Sequence, residues 1–375
     1  MAETVIYPPT PDSPSVERAR AAADGVVDVS ASAPRVLNTP PYSPLKAANS
    51  FYSAWNHGDY DDAAMQLTES VIFRDINFPE PFVGRESTRQ YLKECTENLI
   101  GWSFCIDDWA EDKERNRLGL YWHVNDIDGN ELMLPTKGIS FLTLSEDNSL
   151  LAECTDINEP FLKIPLLAGS TMMAAAQQAN SLAEQASSLA APFLSQIFGS
   201  ASPLASQLPS ADTDVDAEEE QMLAGSAIAV GKAFFVAWNA GNIDKAAALL
   251  TEDVRFCDPN FDAPFVGRAA AAEYLQQCTS VLNGWQFIVD DWAEDKPRSR
   301  LGLKWHVEDA QGITIPLPNL GVSFLKLNPD LSQISEVTDH MEPVSVPPPE
   351  LQLPLVATVS MALELRRKAL AQLRL

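Results

Sequence analysis

The stretch FYSAWNHGDYDDAA at residues 51–64 returns as FFVAWNAGNIDKAA at residues 234–247. The offset of 183 holds without a gap from Phe51–Pro160 to Phe234–Pro343, and 60 of those 110 pairs are identical. PFVGR, DDWAEDK, RLGL, WHV and SFL recur unchanged. Each unit is long enough for its own core, so this is a tandem domain duplication and not a solenoid. The chain has 375 residues, 46% of them hydrophobic and 21% charged, which suits two modest domains with linkers and excludes disorder throughout.

Within each unit the apolar spacing predicts a first helix, with Ala48, Phe51, Tyr52 and Trp55, or Gly231, Phe234, Phe235 and Trp238, on one face. Gly58 and Gly241 stand where a helix ends in a left-handed residue, and Asp59 or Asn242 can cap a second helix. Residues 71–78 alternate as a strand that puts Val71, Phe73, Asp75 and Asn77 on one face, and Val254, Phe256, Asp258 and Asn260 match them. A third helix carries Tyr91, Leu92, Cys95 and Leu99, or Tyr274, Leu275, Cys278 and Leu282. Four strands follow, at about 102–110, 116–125, 132–144 and 150–158. Helices first and then an antiparallel meander make an α+β domain, with three helices on one face of a curved antiparallel sheet and a cone-shaped cavity between them.

The chain thus divides into a disordered Pro/Ser-rich tail (1–45), domain 1 (46–165), a helical segment and acidic linker (166–226), domain 2 (227–346) and a C-terminal helix (347–375). The tail holds Thr10-Pro11, Ser13-Pro14, Thr39-Pro40 and Ser43-Pro44, which are candidate phosphorylation points, but a plain tail is the preferred reading. The central helix is expected around Met172–Phe198 and the last around Leu355–Leu373. The last helix ends in Arg366, Arg367, Lys368 and Arg374; its stripe of Leu353, Leu355, Val359, Leu363 and Leu370 favours docking on its own domain over a peripheral membrane contact.

Fifty-two acids against 26 bases leave a formal charge of −26, which repels phosphate backbones and argues against nucleic acid as a partner. Repeat 1 is the more acidic copy, with 22 acids and 8 bases against 16 and 8. No apolar run reaches the length of a membrane span. Five scattered cysteines do not make a disulfide framework, and the N-terminal residues lack a signal or transit pattern, so a cytoplasmic address is expected.

The order α-α-β-α-β-β-β-β resembles the NTF2-like superfamily, with its cystatin-like cone fold. Three features carry the likeness: the stretch Asp75-Ile-Asn-Phe78-Pro-Glu-Pro81-Phe82-Val-Gly84, the Trp122-His123 and Trp305-His306 pairs, and the Gly138-Ile-Ser140-Phe141 and Gly321-Val-Ser323-Phe324 strands. Within it the chain looks closest to SnoaL-like proteins, including those of plants and algae, across both repeats. That resemblance implies a pocket without fixing a chemistry, and keeps a plastid address open as the alternative.

Asp75 and Asp258 are the candidate general bases, since each is an acid on a strand face otherwise holding Val and Phe. In the ketosteroid isomerase branch a base aspartate sits at the matching point before the Pro-x-x-Gly loop. The helix position that would supply a tyrosine there reads Phe51 and Phe234, and the position of a second acid reads Ser140 and Ser323. The competing reading has both aspartates capping the adjacent turn. Phe51, Trp55, Phe73, Trp122 and Ser140 are the expected pocket lining of one cone, and Phe234, Trp238, Phe256, Trp305 and Ser323 that of the other.

Alternation puts His123 with Tyr121 on the opposite face from Trp122, and Lys304 replaces Tyr121 in the second copy, so that face should meet solvent or a partner surface. DDWAEDK lacks calcium-loop spacing, and ion pairs across a hairpin explain its acids; no metal is expected. Phosphate and dinucleotide motifs are missing, so no cofactor is expected. The functional expectation is a non-catalytic binder of a small apolar molecule, with the two cones paired as an intramolecular pseudo-dimer. An isomerase or cyclase using the cone aspartates and a protein-binding module of the nuclear-transport-factor kind are the alternatives.

Overall fold

A computed structural model describes residues 42–159 and 225–342, apart from 79, 100, 132–136, 262, 283 and 316–318. The tail to residue 41, the segment 160–224 and the C-terminal helix expected at Leu355–Leu373 lie outside the described residues.

Repeat 1 runs α1 (Pro44–Asn56), α2 (Tyr60–Met65), β1 (Leu67–Asp75), β2 (Phe82–Val83), α3 (Arg85–Asn98), β3 (Ser103–Asp112), β4 (Arg117–Asn125), β5 (Lys137–Leu144) and β6 (Leu151–Asn158). Repeat 2 follows the same order with α4 (Ala227–Asn239), α5 (Ile243–Ala248), β7 (Leu250–Cys257), β8 (Phe265–Val266), α6 (Arg268–Val281), β9 (Gln286–Asp295), β10 (Arg300–Glu308), β11 (Leu320–Leu327) and β12 (Ile334–Met341). Local chemistry explains the boundaries. Ser43 caps α1 by accepting from Lys46 N, ahead of Pro44, and Asp59 and Asn242 cap α2 and α5 in the same manner. Gly58 and Gly241 take φ of 72° and 67° just past their helices, where a side chain would be strained.

The six strands of each sheet lie in the order β2-β1-β6-β5-β4-β3 and β8-β7-β12-β11-β10-β9. The sheets are mixed, a difference from the antiparallel expectation. β1 pairs parallel to β6, with Phe73 opposite Cys154 and Asp75 opposite Asp156, and β7 pairs parallel to β12. The meander starts at β3 on the far edge of the sheet, so its last strand comes back beside β1 running the same way.

Helices and concave sheet face enclose one apolar core per repeat, built around Phe51, Phe73 and Leu120 in the first and Phe234, Phe256 and Leu303 in the second. A third core lies between the sheets. Ile76, Ala110, Ile139, Phe141 and Ile157 meet Ala293, Val322 and Phe324, and Tyr121 stacks on Phe324 at 6.3 Å between ring centres. A Cβ on Gly119 would stand 2.9 Å from Gly302 Cα, and the same holds in reverse, so the strands bearing RLGL touch backbone to backbone.

Charges surround this seam reciprocally. Asp291 receives Arg115 and Arg117, while Asp108 receives Arg298 and Arg300. The Arg115 guanidinium lies 3.6 Å over the ring of Trp292, and Arg298 lies 3.6 Å over Trp109. Lys304 binds Glu153, and His340 Nδ1 meets the Ile157 carbonyl oxygen at 2.9 Å. Within DDWAEDK the second aspartate therefore pairs between repeats, while Asp107 and Asp290 pair with His123 and His306 of their own hairpins, so the reading of ion pairs within one hairpin holds for part of the motif. The motif's glutamate instead holds the start of a helix. Glu294 accepts from Ser226 Oγ and the first amides of α4, and Glu111 accepts from Leu45 N of α1.

Candidate functional site

A polar cluster sits on the concave face of each sheet, beneath the helices. Asp75 closes β1. Its Oδ1 accepts from Asn77 N at 2.9 Å and Asn77 Nδ2 at 2.8 Å, and its Oδ2 accepts from the Tyr91 hydroxyl of α3 at 2.7 Å. The turn-capping and inward-facing readings of Asp75 are thus two ends of one carboxylate. Asp258 repeats the arrangement with Asn260 and with Tyr274 at 2.6 Å. Burial pushes the Asp75 carboxyl above its ordinary value, against the lowering effect of its hydrogen bonds.

The next strand brings a second acid alongside. Asp156 stands opposite Asp75 on one side and Ser140 on the other. Burial, aided by the charge of Asp75 and opposed by hydrogen bonds from Ser140 and Cys154, pushes its carboxyl up to about 7. Asp339, beside Asp258 and Ser323, is likewise pushed up to about 7, chiefly by burial. A carboxyl pushed up to about 7 beside a second carboxyl makes a pairing that can donate and accept protons.

Ser140 anchors the far side of the cluster. It accepts from Trp122 Nε1 at 2.8 Å and lies 3.3 Å from the Tyr52 hydroxyl of α1. Ser323 accepts from Trp305 Nε1 at 2.8 Å, but Phe235 takes the place of Tyr52. Sequence reading placed the helix hydroxyl position at Phe51; the structure finds a hydroxyl one residue on, at Tyr52. It also finds the second acid at Asp156 and Asp339, in the strand next to Ser140 and Ser323. The signal was available: Thr-Asp recurs at 155–156 and 338–339, two residues beyond Glu153 and Glu336 on an alternating strand.

The other expected lining residues pack on one another. Phe51 and Phe73 stand 6.1 Å apart between ring centres, Trp55 stacks on Phe104 at 4.6 Å, and Trp238 stacks on Phe287 at 4.7 Å. Phe51, Phe73, Ser140, Phe234, Phe256 and Ser323 each have 0% exposure, so no water-sized space touches them. Asp75, Asp156 and Asp339 keep part of their surface open. The cluster therefore lies where each aromatic-filled cone meets an accessible edge. In repeat 2 a cavity of about 230 Å³ also opens beside Trp238, Ala240, Thr279, Gly284, Trp285 and Phe287.

His123 and His306 lie off this cluster, on the opposite sheet face. His123 Nδ1 meets Asp107 at 2.8 Å, and this bond raises the imidazole to about 10. His306 pairs with Asp290 and Glu308. Among the described residues, no group of three or more His, Cys, Asp or Glu side chains is arranged to hold a metal, and no helix is long and apolar enough to cross a membrane.

The profile of the SnoaL-like domain family matches the chain twice, at residues 48–152 and 232–331. Solved structures with similarity include a candidate ketosteroid isomerase from Kribbella flavida, at 26% identity, with a TM-score of 0.27, covering 33% of this chain and 82% of that one. A candidate isomerase of the SnoaL-like family from Agrobacterium tumefaciens shares 15% identity and a TM-score of 0.27 over 31% of this chain and 97% of that one. A candidate polyketide cyclase from Xanthomonas campestris shares 24% identity and a TM-score of 0.24, over 30% and 87%. No curated protein matches the chain.

Proposed function

From a chain that belongs to the SnoaL-like domain family in both of its halves, we propose a binder of small, flat, apolar molecules that carry a polar group. The observation that supports this most directly is the convergence of Asp75, Asp156, Ser140 and the Trp122 indole N–H inside an otherwise aromatic cone, matched by Asp258, Asp339, Ser323 and Trp305. An apolar enclosure with a few convergent polar groups is the usual form of a small-molecule site. The aromatic rings supply area for a planar ligand, and the carboxyls and serine orient its polar end. Because the inner rings are closed to water, ligand entry requires them to part.

The test is native mass spectrometry with organic extraction of the full chain purified from its own source. A bound apolar compound that raises the thermal midpoint when added back supports the reading. An empty protein that binds no aromatic probe overturns it.

A second reading is favoured by one observation, the carboxyl at about 7 beside another acid in each cone. Such a pair suits proton transfer at a carbon next to a carbonyl, as an isomerase or cyclase requires. If it operates, a carbon-bound hydrogen of the extracted compound exchanges with deuterated water in the presence of the protein. The exchange is then lost when Asp75→Asn and Asp258→Asn are combined.

A further inference from the structure

The two cones differ in how far they satisfy their own acids. In repeat 1 the Cys154 thiol donates to Asp156 Oδ1 at 3.2 Å, and Tyr52 adds a hydroxyl beside Ser140. Repeat 2 has Val337 in place of Cys154 and Phe235 in place of Tyr52. The consequence is visible at Asp339. It stands opposite Ser323 on the next strand, yet its Oδ1 is shut off from water and has no partner among the described residues. A buried oxygen left without a donor destabilises the protein that carries it, unless something else supplies the donor.

A second, independent difference lies at the other end of the same aromatic core. In repeat 1 the Ile127 side chain sits against Gly101, and His57 follows α1. The matching residues in repeat 2 are Ala310 and Ala240, both smaller, and there the cavity of about 230 Å³ is found. Its wall ring Phe287 meets Trp305 edge-on at 5.2 Å, and Trp305 and Ser323 stand between the cavity and Asp339, so a ligand reaches Asp339 Oδ1 only when these closed side chains part.

We infer that the copies are not equivalent: repeat 2 is the ligand-bearing cone, and its ligand presents a hydroxyl or amine donor to Asp339 Oδ1, while repeat 1 is closed on its own side chains. This rests on the reading of the cones as small-molecule sites.

Isothermal titration of the full chain with two probes tests it. 2-Naphthol offers one hydroxyl donor on a flat apolar body, and 2-methoxynaphthalene has the same body without the donor. The expected result is one site per chain and at least tenfold tighter binding of 2-naphthol. Asp339→Leu should abolish that preference. Val337→Cys, which gives Asp339 the thiol partner found in repeat 1, should reduce it severalfold without removing the carboxyl, so the result does not hang on one variant folding. Two equal sites, or a preference unchanged in a folded Asp339→Leu chain, would overturn this inference and leave the small-molecule reading standing. Binding of neither probe would remove both.

Discussion

The seam between the repeats and the interiors of the cones treat the duplication in opposite ways. At the seam most of the charged contacts are reciprocal, with Lys304 to Glu153 and His340 to Ile157 as one-sided additions. Arg115 and Arg117 reach Asp291 as Arg298 and Arg300 reach Asp108, each arginine pair has a tryptophan beneath it, and Gly119 faces Gly302. In the cones, Tyr52, Cys154 and Asn158 have become Phe235, Val337 and Met341. A seam residue must fit a partner in the other half, so a change on one side leaves that partner without its match. The cones have no such constraint, since each encloses its own residues, and divergence there alters one copy alone.

The seam can be broken most sharply at Asp108. Asp108→Ala leaves Arg298, Arg300 and Lys326 without their shared carboxylate. Removing one side of a buried ion pair costs roughly 3–5 kcal/mol, and because these arginines are partly open to water a loss of about 3 kcal/mol is expected. Asp291→Ala should cost less, about 2 kcal/mol, because the Asp291 side chain is 20% exposed against 9% for Asp108. Urea unfolding of the two variants measures the difference, and equal losses would mean the seam is symmetric in energy as well as in contacts. Gly302→Ala comes next. Its new methyl would meet the Gly119 backbone, and over-packing of this kind costs about 2 kcal/mol. A loss too small to detect in the same assay would show that the sheets part without penalty.

The contrast between cones is sharpened by exchanging their residues. Cys154→Val should cost repeat 1 about 1 kcal/mol by stripping Asp156 Oδ1 of its donor. Val337→Cys should recover a similar or smaller amount for repeat 2. Thermal unfolding that moves the same way in both variants would contradict the account of Asp339 as an unsatisfied acid.

The last test is one of pH. Asp339 and Asp156 hold their protons up to about 7 in the folded chain, above the ordinary carboxyl value that applies when unfolded. The folded state therefore binds more protons than the unfolded state between those values, so each contribution is fully present at low pH and lost as pH rises through about 7. Comparing wild type with Asp339→Asn at pH 5 and pH 8 isolates the effect. The wild type should lose stability relative to the variant at the higher pH, and a constant difference would refute the assignment.

Much of this was legible in the residues themselves. The helix face of Phe51, Tyr52 and Trp55, the glycines that end the helices, and the strand carrying Phe73 and Asp75 follow from spacing, and the structure places them on the concave side as that spacing predicts. Tyr121 and Lys304 were read as facing solvent or a partner, and they lie at the seam with the other repeat. The partners of DDWAEDK were legible only in part. Its charges suit a hairpin and a sheet-to-sheet seam equally, because composition and alternation set which face a side chain takes and not what stands across from it.

The amino-acid sequence by itself determined the duplication, the order of elements and the two faces of each strand, since these depend on periodicity within a few residues. Only the tertiary structure decided that β6 closes beside β1 and so brings Asp156 against Asp75. It alone decided that the two sheets meet through their outer faces, and that Asp339 is left with an unpaired oxygen where Asp156 is not. The physical reason is common to all three. Strand order and sheet packing bring together residues far apart in the chain, and whether a buried polar atom finds its donor depends on that meeting.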